Sequence, residues 1–226
     1  MMHSLKRLEG YVVGATDGES GAVVDVLFDE ETWATRYVVV DIGDLVHSRA
    51  VLVPRVSFRE VDPATRRFHV DLTVEAVTDC PLLSAHEPVS RRLEHDLDID
   101  RDSWLDGVAV PVVPPQGAPE ADAPFEVERT DAQLWSAGDV RGYRIEGTNG
   151  AIGHVVDFLA DDEAWMVRYL VVDTSNWWLG RRVIIPPHWT RSIGWSERRI
   201  HVDLTREEIR RSPVWNANEV VNRTRA

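Results

Sequence analysis

The sequence predicts a mainly β protein: two small antiparallel barrels in tandem, each followed by a short helix. Three observations carry this prediction. The chain repeats itself, the apolar residues of each copy fall in short β-branched runs, and glycine, proline and aspartate punctuate those runs.

The repeat has an offset of 132 residues. Gly10-Tyr11 recurs as Gly142-Tyr143, Asp25 as Asp157, Trp33 as Trp165, and Val39-Val40-Asp41 as Val171-Val172-Asp173. Pro54 falls on Pro186, and His69-Val70-Asp71-Leu72-Thr73 falls on His201-Val202-Asp203-Leu204-Thr205. Residues 10–81 match residues 142–213 at 30 of 72 positions without a gap. A period this long is foreign to a solenoid, whose units are roughly 20–45 residues, so the copies are tandem domains.

The elements follow in order. Strands are predicted over residues 22–28, 36–41 and 50–53, with shorter ones over 57–61 and 67–70. The segment Asp17-Gly18-Glu19-Ser20-Gly21 supplies glycines for a turn, and Asp62-Pro63-Ala64-Thr65 places proline where a type I turn accepts it. Five or six such strands in a module this short predict a closed or nearly closed barrel. A helix follows each one. In the second copy Thr205-Arg206-Glu207-Glu208 is a capping box, and Pro213 ends the helix. The first copy has Thr73 and Ala76, half of that box, and predicts a weaker helix. The domain ranges are then 5–86 and 137–218. Residues 87–136 between them form a short helix, capped by Ser90, and an acidic Pro/Ala-rich connector.

These residues resemble a known family. Gly-Tyr, then Asp/Asn-Gly, then Gly-x-Val-x-Asp, then Trp…Arg-Tyr-x-Val-Val-Asp, a strand ending in proline, and His-Val-Asp-Leu-Thr are similar to the PRC-barrel family. That family is named from the cytoplasmic domain of the photosynthetic reaction-centre H subunit. A related barrel ends a ribosome-maturation factor. The resemblance implies the barrel fold and a binding role without a shared catalytic motif. It points first to a protein-binding adaptor linked to reaction-centre-like complexes, and second to a ribosome-assembly or RNA-associated factor.

Composition narrows the classes. The net charge of −13 over 226 residues argues against nonspecific duplex binding by the whole chain. The acidity is uneven: residues 1–86 sum to −6, residues 87–137 to −8, and residues 138–226 to +1. One cysteine, Cys80, excludes an internal disulfide. No stretch reaches the roughly 18 apolar residues of a membrane span. The first residues lack the apolar core of a signal peptide, and together these features favour the cytoplasm.

Several constellations invite chemistry. His69/Asp71 and His201/Asp203 put a histidine and a carboxylate on one strand face, but no third group completes a triad. Asp96, Asp98, Asp100 and Asp102 alternate like calcium ligands, yet glycine and glutamate are missing where an EF-hand loop needs them. The acidic turns Asp29-Glu30-Glu31 and Asp161-Asp162-Glu163 recur, as polar hairpin turns. No catalytic residue, metal ligand or cofactor site is therefore assigned. Tryptophan is the excess, with nine in the chain. Trp33 and Trp165 are expected in the core. Trp177, Trp178, Trp189 and Trp195, with Arg181 and Arg182, are the candidate interface, because aromatic and arginine side chains anchor contacts. The partner is expected to be a protein, either the other barrel of the same chain, a second copy, or a protein of unknown identity.

Overall fold

A computed structural model describes residues 1–43, 48–83, 134–174 and 181–215. The described residues are mainly β, in two seven-stranded sheets, each with six strands of one copy and a seventh from the other, and a short helix follows each copy. The first sheet contains β2 (Val12–Gly14), β3 (Glu19–Asp29), β4 (Thr35–Asp41), β5 (Ala50–Pro54), β6 (Phe58–Asp62) and β7 (Arg67–Val70). Helix α2 (Val74–Thr78) follows it. The second sheet repeats the plan with β9 (Arg144–Gly147), β10 (Gly150–Asp161), β11 (Val167–Asp173), β12 (Arg182–Ile185), β13 (Thr190–Gly194) and β14 (Arg199–Val202). Helix α4 (Arg206–Arg211) closes it with the capping box between Thr205 and Glu208.

The strand order is β5-β4-β3-β2-β7-β6 and, equivalently, β12-β11-β10-β9-β14-β13. Two features depart from the sequence expectation. The barrels are not closed: among the described residues the end strands β5 and β6 do not pair with each other, nor do β12 and β13. One neighbouring pair in each sheet, β2 with β7 and β9 with β14, is parallel. The proline corner explains the second. Pro54 leads β5 into a 3-10 turn (Arg55–Ser57), and Pro186 leads β12 into another (Pro187–Trp189). The chain turns there without a hairpin reversal, so β7 returns in the direction of β2.

Burial accounts for the unbroken valine runs. Val38 and Val40 join the main core, while Val39 faces the other way, into a small cluster with Leu27 and Leu52 under Leu83. Both faces of β4 are covered, so its pattern is a run rather than an alternation. The main core is one cluster that takes side chains from both copies, among them Val13, Phe28, Phe68, Ile145, Phe158 and Ile200.

Glycine is required where β3 bends. Gly21 has φ +69°, and a Cβ there would lie 2.2 Å from the Asp41 carbonyl oxygen. Gly153, its equivalent, would put a Cβ 2.1 Å from the Asp173 carbonyl oxygen. Gly142 has φ +89° but open space around its Cβ position. Gly142→Ala therefore carries only backbone strain, about 1–2 kcal/mol. Gly21→Ala adds a backbone clash and is expected to lose distinctly more, over about 2 kcal/mol. Urea unfolding of both variants checks this, and equal losses would show that the Asp41 contact relaxes freely.

Candidate functional site: the junction between the repeats

The two copies exchange their first residues. Strand β1 (Met2–Ser4) pairs with β10 of the second copy, with Met2 opposite Asp161 and Ser4 opposite Leu159. Strand β8 (Leu134–Ser136) pairs with β3 of the first copy, with Leu134 opposite Asp29 and Ser136 opposite Leu27. The offset of 132 carries one register onto the other, so the exchange has pseudo-twofold symmetry. Each arm continues into one turn of helix, α1 (Leu5–Leu8) or α3 (Ala137–Val140). Leu5, Leu8, Ala137 and Val140 are all buried, which anchors the arms by apolar contact.

A buried carboxylate receives each arm. Asp25 is 7% exposed and accepts from the Ser136 hydroxyl at 2.5 Å, the Gly138 N–H at 3.0 Å and the Val26 N–H at 2.7 Å. Asp157 is 5% exposed and accepts from the Ser4 hydroxyl at 2.5 Å, the Lys6 N–H at 3.0 Å and the Phe158 N–H at 2.8 Å. The same serines are N-caps, accepting from the Asp139 N–H at 2.9 Å and the Arg7 N–H at 3.1 Å. Burial pushes the carboxyl pKa of Asp25 and of Asp157 above the ordinary value, against the pull of these hydrogen bonds. Arg141 beside Asp157 also favours its charge, whereas Asp25 has the like-charged Asp139 nearby.

The hairpin tips meet at the axis. Trp33 and Trp165 hold left-handed backbone, φ 59° and 51°, which is costly for a bulky residue. That conformation turns their carbonyls across the junction. The Thr35 N–H donates to the Trp165 carbonyl and the Val167 N–H to the Trp33 carbonyl, both at 2.8 Å. Ala34 bridges Met166, its own equivalent. Trp165 also packs edge-on against Phe58 at 5.1 Å and lies 5.3 Å from Phe68, both in the first copy.

Polar contacts complete the junction, and several break the symmetry. Glu30 accepts from the Trp135 indole N–H at 2.8 Å and from the Ile193 N–H at 3.2 Å. Its equivalent, Asp162, faces His3 at 3.5 Å; burial lowers the His3 pKa, opposed by Asp162. Glu9 and Arg141 occupy equivalent positions and form an ion pair. Arg55 donates to the Ala164 carbonyl at 2.6 Å. A cleft of about 710 Å³ opens between the Glu30–Trp33 tip and the second copy's Pro186–Arg191 segment, with Met166 to Arg168 in its wall.

The sequence-chosen residues fall in different places. Trp177 and Trp178 lie outside the described residues, as do Asp96 to Asp102 and most of the connector. Trp189 and Trp195 are half-buried and pack on the main core. Arg181 and Arg182 are exposed at the start of β12, with Arg182 3.7 Å from Asp173. The His-x-Asp carboxylates serve arginines: Asp71 pairs with Arg59, and Asp203 with Arg191. Trp33 and Trp165 are in the core. The arms and the Asp25/Asp157 pair were not picked out as a site, although Ser4 and Ser136 share the offset and signalled that the repeat begins before Gly10.

Asp25→Ala strips an acceptor from three donors and is expected to cost about 2–3 kcal/mol and loosen the second arm. Urea unfolding and faster hydrogen exchange at residues 134–140 check this. Asp25→Asn is milder and removes a pH dependence. The folded pKa of Asp25 lies above the unfolded value, about 3.9. Its contribution is therefore full below that unfolded pKa and is lost as pH rises through the folded pKa. Wild type should lead Asp25→Asn by more at pH 4 than at pH 7. An unchanged gap would mean the carboxyl titrates normally.

The PRC-barrel domain family matches residues 2–77 and 136–209, well over half of the chain. Both matched segments take in the exchanged arms in whole or in part. Comparison with curated proteins gives no significant match. On two matches related by the internal repeat and on two sheets of one topology, the chain belongs to the PRC-barrel domain family, as a tandem pair in a single chain.

Proposed function

We propose that the chain is a non-catalytic protein-binding adaptor whose working unit is the pair of barrels locked at the junction. The observation that carries this is the use made of its polar groups. The His-x-Asp carboxylates that invite chemistry hold structure instead, Asp71 and Asp203 pairing with arginines, and the buried Asp25 and Asp157 hold arms. Burial, with Asp79 adding to it, pushes the Cys80 thiol up to about 11, far from a reactive thiolate. Among the described residues no helix is long and apolar enough to cross a membrane. The family's reaction-centre member makes a multisubunit complex the first setting to test, with binding surfaces on the barrel exteriors.

Arginine pairing weighs against an RNA-associated role. Arg182 and Arg199 lie 3.7 Å from Asp173 and Glu146, and Arg198 stands over the Tyr143 ring at 6.0 Å. Surface arginines that already face a carboxylate of the same chain add less net positive charge toward a phosphate backbone. The test is reciprocal capture of the full-length chain from its native extract after cross-linking, with and without ribonuclease. A defined protein at near-equal amounts, unaffected by ribonuclease, is expected. Capture that ribonuclease abolishes would replace the adaptor reading with the RNA reading.

A further inference from the structure

The pseudo-twofold axis relates two crevices flanking the hairpin tips, and the two are built differently. In the first, the Arg55 guanidinium reaches the Ala164 carbonyl at 2.6 Å, and the Phe58 ring covers Trp165 at 5.1 Å. In the second, the same positions carry Pro187 and Thr190. Proline has no side-chain donor, and threonine replaces a ring with a hydroxyl. The outcome is the 710 Å³ cleft over Trp33, within the range of natural ligand sites. Thr190 lines it, and its buried hydroxyl oxygen has no hydrogen-bond partner among the described residues.

We infer that this cleft is the receptor for an arginine side chain presented by a partner protein. The inference rests on the adaptor reading and deepens it. Arg55 shows what the crevice accepts: a guanidinium donating to the tip carbonyl. Thr32 is the equivalent of Ala164 and lines the open cleft beside the exposed carboxylate of Glu31. The carbonyl, the Glu31 carboxylate and the Thr190 hydroxyl together supply acceptors for a planar fork of donors, which suits arginine better than lysine. Two arginines in the cleft wall are already matched: Arg168 pairs with Asp161 at 2.6 Å, and Arg191 with Asp203. They leave the acidic tip as the cleft's own charge. His188 is exposed in the wall, edge-on to Trp189.

The test titrates the full chain with the capped peptide acetyl-Gly-Arg-Gly-amide and with its lysine and citrulline counterparts, read by amide NMR shifts. Saturable shifts at residues 31–33 and 188–191 are expected for arginine, with binding about tenfold weaker for citrulline, which keeps the shape and loses the charge. Pro187→Arg restores the symmetric arginine, in a turn where the first copy already carries one, and should weaken peptide binding about tenfold or more. Glu31→Gln should weaken it several-fold without altering the Pro187–Trp189 turn. Equal binding of citrulline, or binding unchanged in both variants, would overturn the inference. Cross-linked capture distinguishes the two readings. A partner still held by Pro187→Arg, with no arginine-peptide binding to wild type, sinks the cleft and leaves the adaptor standing. Absence of any defined protein partner sinks the adaptor.

Discussion

The junction depends on two carboxylates, one buried in each copy, whose hydrogen-bond donors belong partly to the other copy. Asp25 sits in the first sheet, yet the Ser136 hydroxyl and Gly138 N–H that satisfy it come from the second copy's arm. Asp157 takes the same donors from Ser4 and Lys6. A buried carboxylate without partners is expensive, on the order of several kcal/mol. Withdrawing an arm therefore does more than expose Leu5, Leu8 or Val140. It leaves a buried acid with one of its three hydrogen bonds, from the Val26 or Phe158 N–H. That penalty makes the exchange specific as well as stable, because a merely apolar arm could dock in neighbouring registers. The strained tryptophans belong to the same design: left-handed backbone at Trp33 and Trp165 is tolerated because each carbonyl gains an N–H from the opposite copy.

Symmetry explains what the copies share, and its failures show where they have separate tasks. Glu9 and Arg141 are one position used twice, with opposite charge. Two first copies meeting in the same way would bring Glu9 against Glu9, and two second copies Arg141 against Arg141. At sites only partly open to water, like charges resist such pairings while the observed pair is favoured. Ser4 and Ser136 stayed alike because both serve a buried aspartate. The pairs Arg55/Pro187 and Phe58/Thr190 diverged together on the outer flank of the tips, where packing does not require identity.

Most strands of each copy were legible because their signal is local, whereas the short β2 (Val12–Gly14) and its equivalent β9 were not predicted. Runs such as Val38-Val39-Val40 and Val51-Leu52-Val53, bounded by turn residues, place β4 and β5 within a residue of where they lie. The capping box at Thr205 was legible for the same reason. The arms were not. Three residues such as Met2-His3-Ser4 carry no periodicity, and their partner lies more than 150 residues away in sequence. Trp33 and Trp165 read as core from their recurrence, but positive φ at tryptophan has no composition cue. The acidic turn Asp29-Glu30-Glu31 looked like ordinary hairpin polarity. Only the second copy's placement turns Glu30 into a ligand for an indole and a backbone N–H. The parallel β2–β7 pairing was hidden too, since it follows from a corner at Pro54 rather than from any strand pattern.

Tandem duplication suits this arrangement on energetic grounds. A barrel of this size buries only about 60% of its unfolded surface, which leaves little stability to spare. Exchanging arms merges two small cores into the single cluster that runs from Leu5 to Ile209. Carried on separate chains, the exchange would also cost the translational freedom of one barrel and would depend on concentration. The segment between residues 83 and 134 makes it intramolecular, and loop-closure cost rises only as the logarithm of length. Lengthening that segment is therefore cheap, whereas losing it is not. One chain also fixes the order of the copies, so that each position at the axis can diverge independently. A homodimer could not hold glutamate on one side of the axis and arginine on the other. Nor could it fill one crevice with Arg55 while Pro187 leaves its twin open.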